Sequence, residues 1–329
     1  MPSTRSSRRP DPTTSARRTC VAHEPRILRA ARYAIDHLAE PLTVRDVAKV
    51  AAMSEFHFQR VFAAVMDETV GAFIARRRLE LAALKLAYQP GRSVTEVALS
   101  SGYSSTANFS KAFAAYFGCR PSDVQRPDRP PASRLGKLLR RHGKDFDPHD
   151  LYALPTPVDE GERERRRREV EDGMHYEQRS ELPLACLRSR ASGYDARALG
   201  ATWDRLIRLG RQLGLCGEEA DAYGLAHDSP QLTVKELVRY DACIPYDGTI
   251  TLPAPLFRSS IAAGRYAVFR YRGPVEGVAP RMRDIYSLAF DESSVEPDDR
   301  FLTIDHYVND APVDGQIDME ILIKVRPRT

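Results

Sequence analysis

Gln59 and Arg60 lie in the segment Phe58-Gln59-Arg60-Val61-Phe62, which recurs as Phe109-Ser110-Lys111-Ala112-Phe113. On a helix, phenylalanines four apart share one face and turn together into a core. That leaves Glu55, Phe56, Gln59 and Arg60 on the outer face of the first copy. Ser105, Thr106, Asn108 and Lys111 occupy the outer face of the second. These side chains suit the reading of base edges, with an ordinary solvated polar surface as the alternative for each. Gln and Asn pair with adenine, Arg and Lys with guanine, and Thr or Phe packs on a thymine methyl. The first copy carries a Gln-Arg pair, whereas the second has weaker donors and a single Lys.

The elements that must hold these faces are also duplicated. Thr43-Val44-Arg45-Asp46-Val47-Ala48 matches Ser93-Val94-Thr95-Glu96-Val97-Ala98. Thr43 with Asp46, and Ser93 with Glu96, form capping boxes that start a short helix. Ser54 is suited to cap the helix that follows in the first unit, and Ser104 or Ser105 that of the second. Each copy therefore reads as helix, tight turn, helix, a device that places its second helix in a DNA major groove. A helix from about Val70 to Tyr88 joins the units, with Phe73/Ile74, Leu81, Leu84 and Tyr88 as its apolar stripe, and Gln89-Pro90-Gly91 ends it. A further helix precedes them, marked by Ile27, Ala30 or Ala31, Ala34 and Leu38.

The chain of 329 residues is long enough for two cores. Residues 1–125 hold 18 Lys/Arg against 11 Asp/Glu, a surplus of +7, and residues 173–329 hold 19 against 23, or −4. A basic front half suits a polyanion, and an acidic back half suits a neutral or cationic ligand. No apolar run is long enough for a transmembrane helix, so no membrane role is expected. The Arg-rich N-terminus lacks the apolar stretch of a secretory signal and reads as a disordered basic arm over residues 1–22, with a transit peptide as the alternative. Five scattered cysteines without metal-ligand spacing are expected to be reduced, structural thiols in a cytoplasmic protein. Neither a metal nor a cofactor is expected.

Residues 127–172 are rich in Pro and Arg and read as a linker, with a short basic helix at 134–141. The run Arg165 to Arg168 is either a DNA contact or a solvated helix paired by neighbouring glutamates. From Met174 the pattern is mixed. Strands are expected at 182–190, 236–244, 265–271, 301–308 and 317–325, and helices at 196–214 and 274–290. This order predicts an α+β domain, an antiparallel sheet with its helices on one face, behind an all-α front half.

Residues 26–126 resemble the AraC/XylS family of bacterial transcription regulators. The residues that carry the likeness are Pro41-Leu42-Thr43-x-x-x-Val47-Ala48, Met53-Ser54-x-x-x-Phe58-x-Arg60-x-Phe62, Phe73-Ile74-x-x-x-Arg78-Leu79-x-x-Ala82 and Gly102-Tyr103-x-x-x-x-x-Phe109-x-Lys111-x-Phe113. The resemblance implies a double helix-turn-helix over residues 23–126 that enters successive major grooves of double-stranded DNA. It also implies RNA polymerase as a protein partner. Carried over position by position, base readout falls on Phe56, Gln59, Arg60, Thr106, Ala107, Ser110 and Lys111. Arg76 and Arg77 would touch phosphate, and Arg78 would form an internal salt bridge. Asp67 stands where the family has a helix-closing glycine.

Residues 173–329 resemble the GyrI-like effector-binding domain, through Thr202-Trp203-x-x-Leu206, Tyr223-Gly224-x-x-x-Asp228-Ser229-Pro230, Arg239-Tyr240-Asp241-Ala242 and Asp305-His306-Tyr307-x-Asn309. The resemblance implies a small-molecule effector, often a hydrophobic cation, held by aromatic walls and a buried acid. Candidate walls are Trp203, Tyr240, Tyr266, Phe269 and Tyr307, and the charge is Glu320 or Asp305. Core packing is the competing role for each aromatic residue, Trp203 above all. Strand alternation puts Asp318, Glu320 and Leu322 on one face and Met319, Ile321 and Ile323 on the other. A few members of that family are hydrolases, so a hydrolase or protein-inhibitory module tethered to DNA is the alternative. No nucleophile–base pair, Gly-rich phosphate loop or G-x-S-x-G is visible, and no enzyme is expected.

Overall fold

The computed structural model describes residues 12–88, 91–124, 160–189, 195–217, 221–228, 232–233, 235–290, 293–298, 303–308 and 316–328. The first part of the basic arm and the helix expected at 134–141 lie outside the described residues.

The front half is helical: α1 (Pro12–Asp36), α2 (Val44–Val50), α3 (Glu55–Met66), α4 (Val70–Tyr88), α5 (Val94–Ser100), α6 (Thr106–Phe117) and α7 (Pro121–Val124). Helix α1 begins at Pro12, inside the segment whose composition suggested disorder. Proline at a first helical position supplies a fitting φ and lacks only an N–H that would be unpaired there. The caps follow the sequence. Thr43 and Asp46, and Ser93 and Glu96, close both capping boxes, while Ser54 and Ser105 cap α3 and α6. Helix α3 ends at Asp67 in the left-handed region at φ +58°, and α6 ends at Gly118 at φ +72°. The same C-terminal geometry is thus made with Asp in one unit and Gly in the other.

Phe58 and Phe62 are fully buried, as are Phe109 and Phe113. Burial of each such ring stabilises by roughly 1.5–3 kcal/mol, which is what fixes the opposite faces of α3 and α6 outward. The connecting helix α4 is buried on most sides, which explains the absence of a single clean apolar stripe. Among the described residues Arg78 makes no salt bridge of the expected kind. It donates through Nε to Leu38 O and through Nη2 to Glu40 O, both at 2.8 Å, tying α4 to the end of the α1 segment. Gly102, at φ +82°, lies so close that a side-chain carbon there would strike Leu38 O and the Arg78 guanidinium.

The back half comprises α8 (Glu160–Asp172), β1 (Met174–Arg179), β2 (Leu182–Arg188), α9 (Ala196–Gln212), β3 (Ala222–Ala226), β4 (Tyr240–Pro245), β5 (Phe257–Ile261), β6 (Gly264–Pro274), α10 (Val278–Asp284), β7 (Val295–Pro297), β8 (Ile304–Tyr307) and β9 (Gln316–Pro327). Its strands form an antiparallel sheet in the order β1-β6-β9-β8-β3-β4-β2-β5, with β7 against β9. Helix α8 falls in the segment whose composition suggests a linker, but its Val170 is fully buried in the sheet's helix-side core. The arginine run on α8 is paired internally. Arg166 meets Glu162 at 2.8 Å, Arg168 meets Glu164 at 3.4 Å, and Arg165 also meets Glu162.

Strand parity sorts the sheet into two faces. Ala185, Leu187, Ala242 and Ile244 meet Leu206 of α9, while Ala267, Phe269, Ile321 and Ile323 meet Val170 and Ile285. The opposite face, with Leu184, Tyr223, Leu225, Tyr266 and Leu322, shares one buried cluster with Ile27, Phe58, Phe62 and Phe73 of the helical half. Cys186 and Cys243 face each other in register across β2 and β4 and are joined by a disulfide, with Cα atoms 4.1 Å apart. This overturns the expectation of reduced thiols for these two. Their 57-residue separation left no local signal of the pairing.

Candidate DNA interface and ligand site

On α3, Gln59 and Arg60 are exposed and the Phe56 ring is 80 % exposed, beside a fully buried Phe58. Arg60 leans on His57 Nδ1 at 3.5 Å, so its guanidinium keeps most of its donors. On α6, Ala107 and Lys111 are exposed, while Thr106 and Ser110 are half-buried. Thr106 Oγ1 reaches Thr95 Oγ1 at 3.3 Å. The outward faces of α3 and α6 thus carry the candidate residues, with the stronger donors on α3.

Arg76 and Arg77 are a correction. They are 4 % and 2 % exposed and cannot meet phosphate while the two halves are packed together. Arg76 binds Glu68 through Nε at 3.0 Å, and through Nη1 binds Glu80 at 2.9 Å and Asp228 at 3.1 Å. Arg77 Nη1 binds Glu80 and Asp228, each at 3.2 Å. From the sheet side, Arg239 grips Asp228 through Nε and Nη2, both at 2.6 Å, and stacks its guanidinium 4.9 Å from the centre of the Phe73 ring. Thr233 donates to Glu80 at 2.9 Å. Burial alone would raise the Asp228 carboxyl, but Arg239, then Arg77 and Arg76, hold it well below the usual carboxylate range. A second tie joins Arg92, just before α5, to buried Glu296 at 2.8 Å, which Arg326 also engages. The sequence signal for this junction was a basic pair, Arg76-Arg77, placed among the apolar positions of α4 with Glu80 three and four residues on.

The candidate ligand residues fall on different faces. Asp305 and Tyr307 of β8 share the helix-side face with Tyr240 of β4, and Trp203 of α9 packs against the two tyrosines. Trp203 stands edge-on to Tyr307 with ring centres 5.4 Å apart, and to Tyr240 at 6.5 Å. The Tyr240 and Tyr307 hydroxyls are 3.0 Å apart. Asp305 lies opposite Gly224 in register, and the Tyr240 ring occupies the space where a Gly224 side chain would stand. Burial lifts the Asp305 carboxyl to about 7. Burial, then the Asp305 carboxylate, raises the Tyr307 phenol above its ordinary value.

Glu320, Tyr266 and Phe269 leave this group. Glu320 pairs in register with His306 on the other face, where its carboxylate meets His306 Nδ1 at 2.9 Å and Arg270 at 3.7 Å. Tyr266 is buried on that same face and donates to Ala262 O at 2.7 Å. Phe269 is on the helix side but fully buried against Phe290, two strands from Asp305. Both aromatics are core, because β6 is covered on both faces over Tyr266–Phe269.

A helix-turn-helix domain model matches residues 47–127, and a GyrI-like small molecule binding domain model matches residues 175–326. The regulatory protein SoxS of Salmonella typhimurium is 34 % identical over 105 residues, which cover 32 % of this chain and 97 % of that protein. The chain belongs to the AraC family of transcription regulators. As an AraC-type protein it is a DNA-binding transcription regulator with a GyrI-like small-molecule binding domain behind the helix-turn-helix units. The right origin-binding protein of Escherichia coli is 35 % identical over 109 residues, 31 % of this chain and 37 % of that relative. A solved AraC-type DNA-binding regulator from Chromobacterium violaceum aligns at 23 % identity with a TM-score of 0.30, covering 32 % of this chain and 92 % of the other. No helix among the described residues of this AraC-type regulator is long and apolar enough to cross a membrane.

Proposed function

We propose that α3 carries most of the sequence reading, through Phe56, Gln59 and Arg60. Helix α6 reads the next major groove more weakly, through Thr106, Ala107, Ser110 and Lys111. The observation that supports this is the exposed Phe56-Gln59-Arg60 face over a buried Phe58–Phe62 core. The test is Arg60→Ala in a binding-site selection. Loss of a guanine preference at one position is expected, at about 1–3 kcal/mol of discrimination. Equal weakening for all sequences would make Arg60 a phosphate contact and sink the assignment.

The sheet half is read as a sensor of small lipophilic cations, held by Asp305 beneath Trp203, Tyr240 and Tyr307. A desolvated carboxylate among ring faces is the arrangement that attracts such a cation. Thermal unfolding with a lipophilic phosphonium and a neutral isostere tests it: stabilisation by the cation alone, lost in Asp305→Asn, is expected. The protein acts in the cytoplasm with RNA polymerase as its protein partner, and it is not an enzyme.

One observation favours a second reading. A carboxyl near pH 7 beside two phenolic hydroxyls is placed for proton transfer. Ester turnover by the full chain, abolished in Asp305→Asn, would favour a hydrolase over a sensor.

A further inference from the structure

The sheet half holds the two helix-turn-helix units by separate contacts. The first unit meets it through the buried cluster in which Phe58, Phe62 and Phe73 join Tyr223, Leu225 and Tyr266. Arg188, at the end of β2, lies 3.9 Å from the sulfur of Met66, the last residue of α3. The second unit is met elsewhere. Leu232, in the connection from β3 to β4, is 2 % exposed and joins the cluster built by Phe109, Phe113 and Phe117. Among the described residues it is the one member of that cluster from the sheet half. In sequence it is the apolar residue of the turn Asp228-Ser229-Pro230-Gln231-Leu232-Thr233. Thr233 beside it donates to Glu80 at 2.9 Å, and the same carboxylate accepts from the Tyr116 hydroxyl of α6 at 3.3 Å. Buried Glu296 of β7 takes Arg92, next to the α5 cap Ser93, at 2.8 Å.

Within the helical half the units are joined by α4 and by the close approach of Gly102 to Leu38. A helix alone is a compliant link, because it curves readily. Major grooves on one face of DNA recur every 10–10.5 base pairs, about 34–36 Å, so a small tilt of one unit takes its reading helix out of its groove. The strands of the sheet are hydrogen-bonded into one body, and that body grips both units. We propose that the sheet half is a brace that fixes the two reading helices relative to each other. Leu232 and Glu296 are its positioning residues on the second unit. The protein then selects operators by the spacing between the two contacted grooves as well as by base identity. This rests on the proposed entry of α3 and α6 into successive grooves.

The test uses the full chain and an operator recovered by binding-site selection. One base pair is inserted into, or removed from, the stretch between the two footprinted grooves, which turns the second groove by about 35°. For the wild type each change is expected to lower affinity about tenfold or more, as the loss of a set of base contacts does. For Leu232→Ala the same changes are expected to cost about threefold or less, because the freed second unit follows its groove. Glu296→Gln keeps the shape of β7 and loosens only the tie to Arg92, and its penalty is expected to fall between. Melting curves show whether the variants fold; if Leu232→Ala does not, Glu296→Gln decides. A spacing penalty equal to that of the wild type in a folded variant overturns the brace. Lys111→Ala separates the remaining outcomes. Added to Leu232→Ala it is expected still to weaken binding; if it does not, the second unit has come undone, and Leu232 is structural and no positioning residue. If Lys111→Ala leaves wild-type affinity unchanged and the wild type accepts every spacing, the two-groove reading falls and the brace with it. If Lys111→Ala weakens the wild type while Leu232→Ala keeps the full spacing penalty, only the brace falls.

Discussion

Replacing Asp228 by asparagine keeps the shape of the junction between the two halves and removes its central charge. In the wild type, the two carboxylate oxygens take Arg239 Nε and Nη2 at 2.6 Å, the Arg239 amide at 3.1 Å, Arg76 at 3.1 Å and Arg77 at 3.2 Å. Three guanidiniums, of Arg76, Arg77 and Arg239, are balanced there by the carboxylates of Glu68, Glu80 and Asp228. Asparagine turns an NH2 toward the arginines and leaves one cation uncompensated where water does not reach. Breaking a buried pair from one side costs about 3–5 kcal/mol. At about 2–4 °C per kcal/mol, that is a fall in melting temperature of about 6–20 °C. Differential scanning calorimetry of Asp228→Asn checks it. Asp221→Asn, whose carboxyl is 65 % exposed beside His306, serves as the control and should move stability by no more than about 0.5 kcal/mol. A fall under about 2 °C for Asp228→Asn would falsify the claim that the halves are packed through this cluster in solution. It would mean that the arginines are solvated and that Arg76 and Arg77 are free to meet DNA after all.

Other perturbations test other parts of the molecule. Asp67→Gly relieves a left-handed residue at φ +58° and should stabilise by about 0.5–1 kcal/mol in denaturant unfolding, whereas Gly118→Ala should destabilise by a similar amount. Ser93→Ala removes the hydroxyl half of the second capping box, keeping the bond from the residue-93 N–H to Glu96, and should cost about 1 kcal/mol in the same assay. The acids act with opposite signs. Asp228, held low, contributes stability that is complete above its unfolded value near 4 and is lost as pH falls through its folded value. Asp305, raised to about 7, favours the folded state most below about pH 4, and that contribution is lost as pH rises toward 7. Cation binding at Asp305 therefore strengthens between pH 6 and 8 and releases a proton at pH 6. Calorimetric titration in two buffers of different ionisation enthalpy reads that proton, and an equal heat in both would rule out Asp305 as the cation's partner.

The amino-acid sequence by itself determined what is local. Both capping boxes, the Ser54 and Ser105 caps, the Val70–Tyr88 helix and the inward phenylalanines are patterns that repeat every three or four residues. Such patterns fix which helix faces are buried, and so the exposure of Gln59, Arg60 and Lys111 is legible in the sequence. The short or charged strands were illegible for the converse reason. The edge strand Met174–Arg179 carries His, Glu, Gln and Arg, and Ala222–Ala226 is only five residues long. Neither offers an alternation strong enough to be seen. Tertiary structure alone decided which candidates share a site. Glu320 and Asp305 sit on neighbouring strands, but register puts their side chains on opposite faces. Arg76 and Arg77 look like phosphate contacts until Asp228, some 150 residues away, is folded against them. Strand register and ion pairs between distant segments depend on how the halves pack, and no local pattern encodes them.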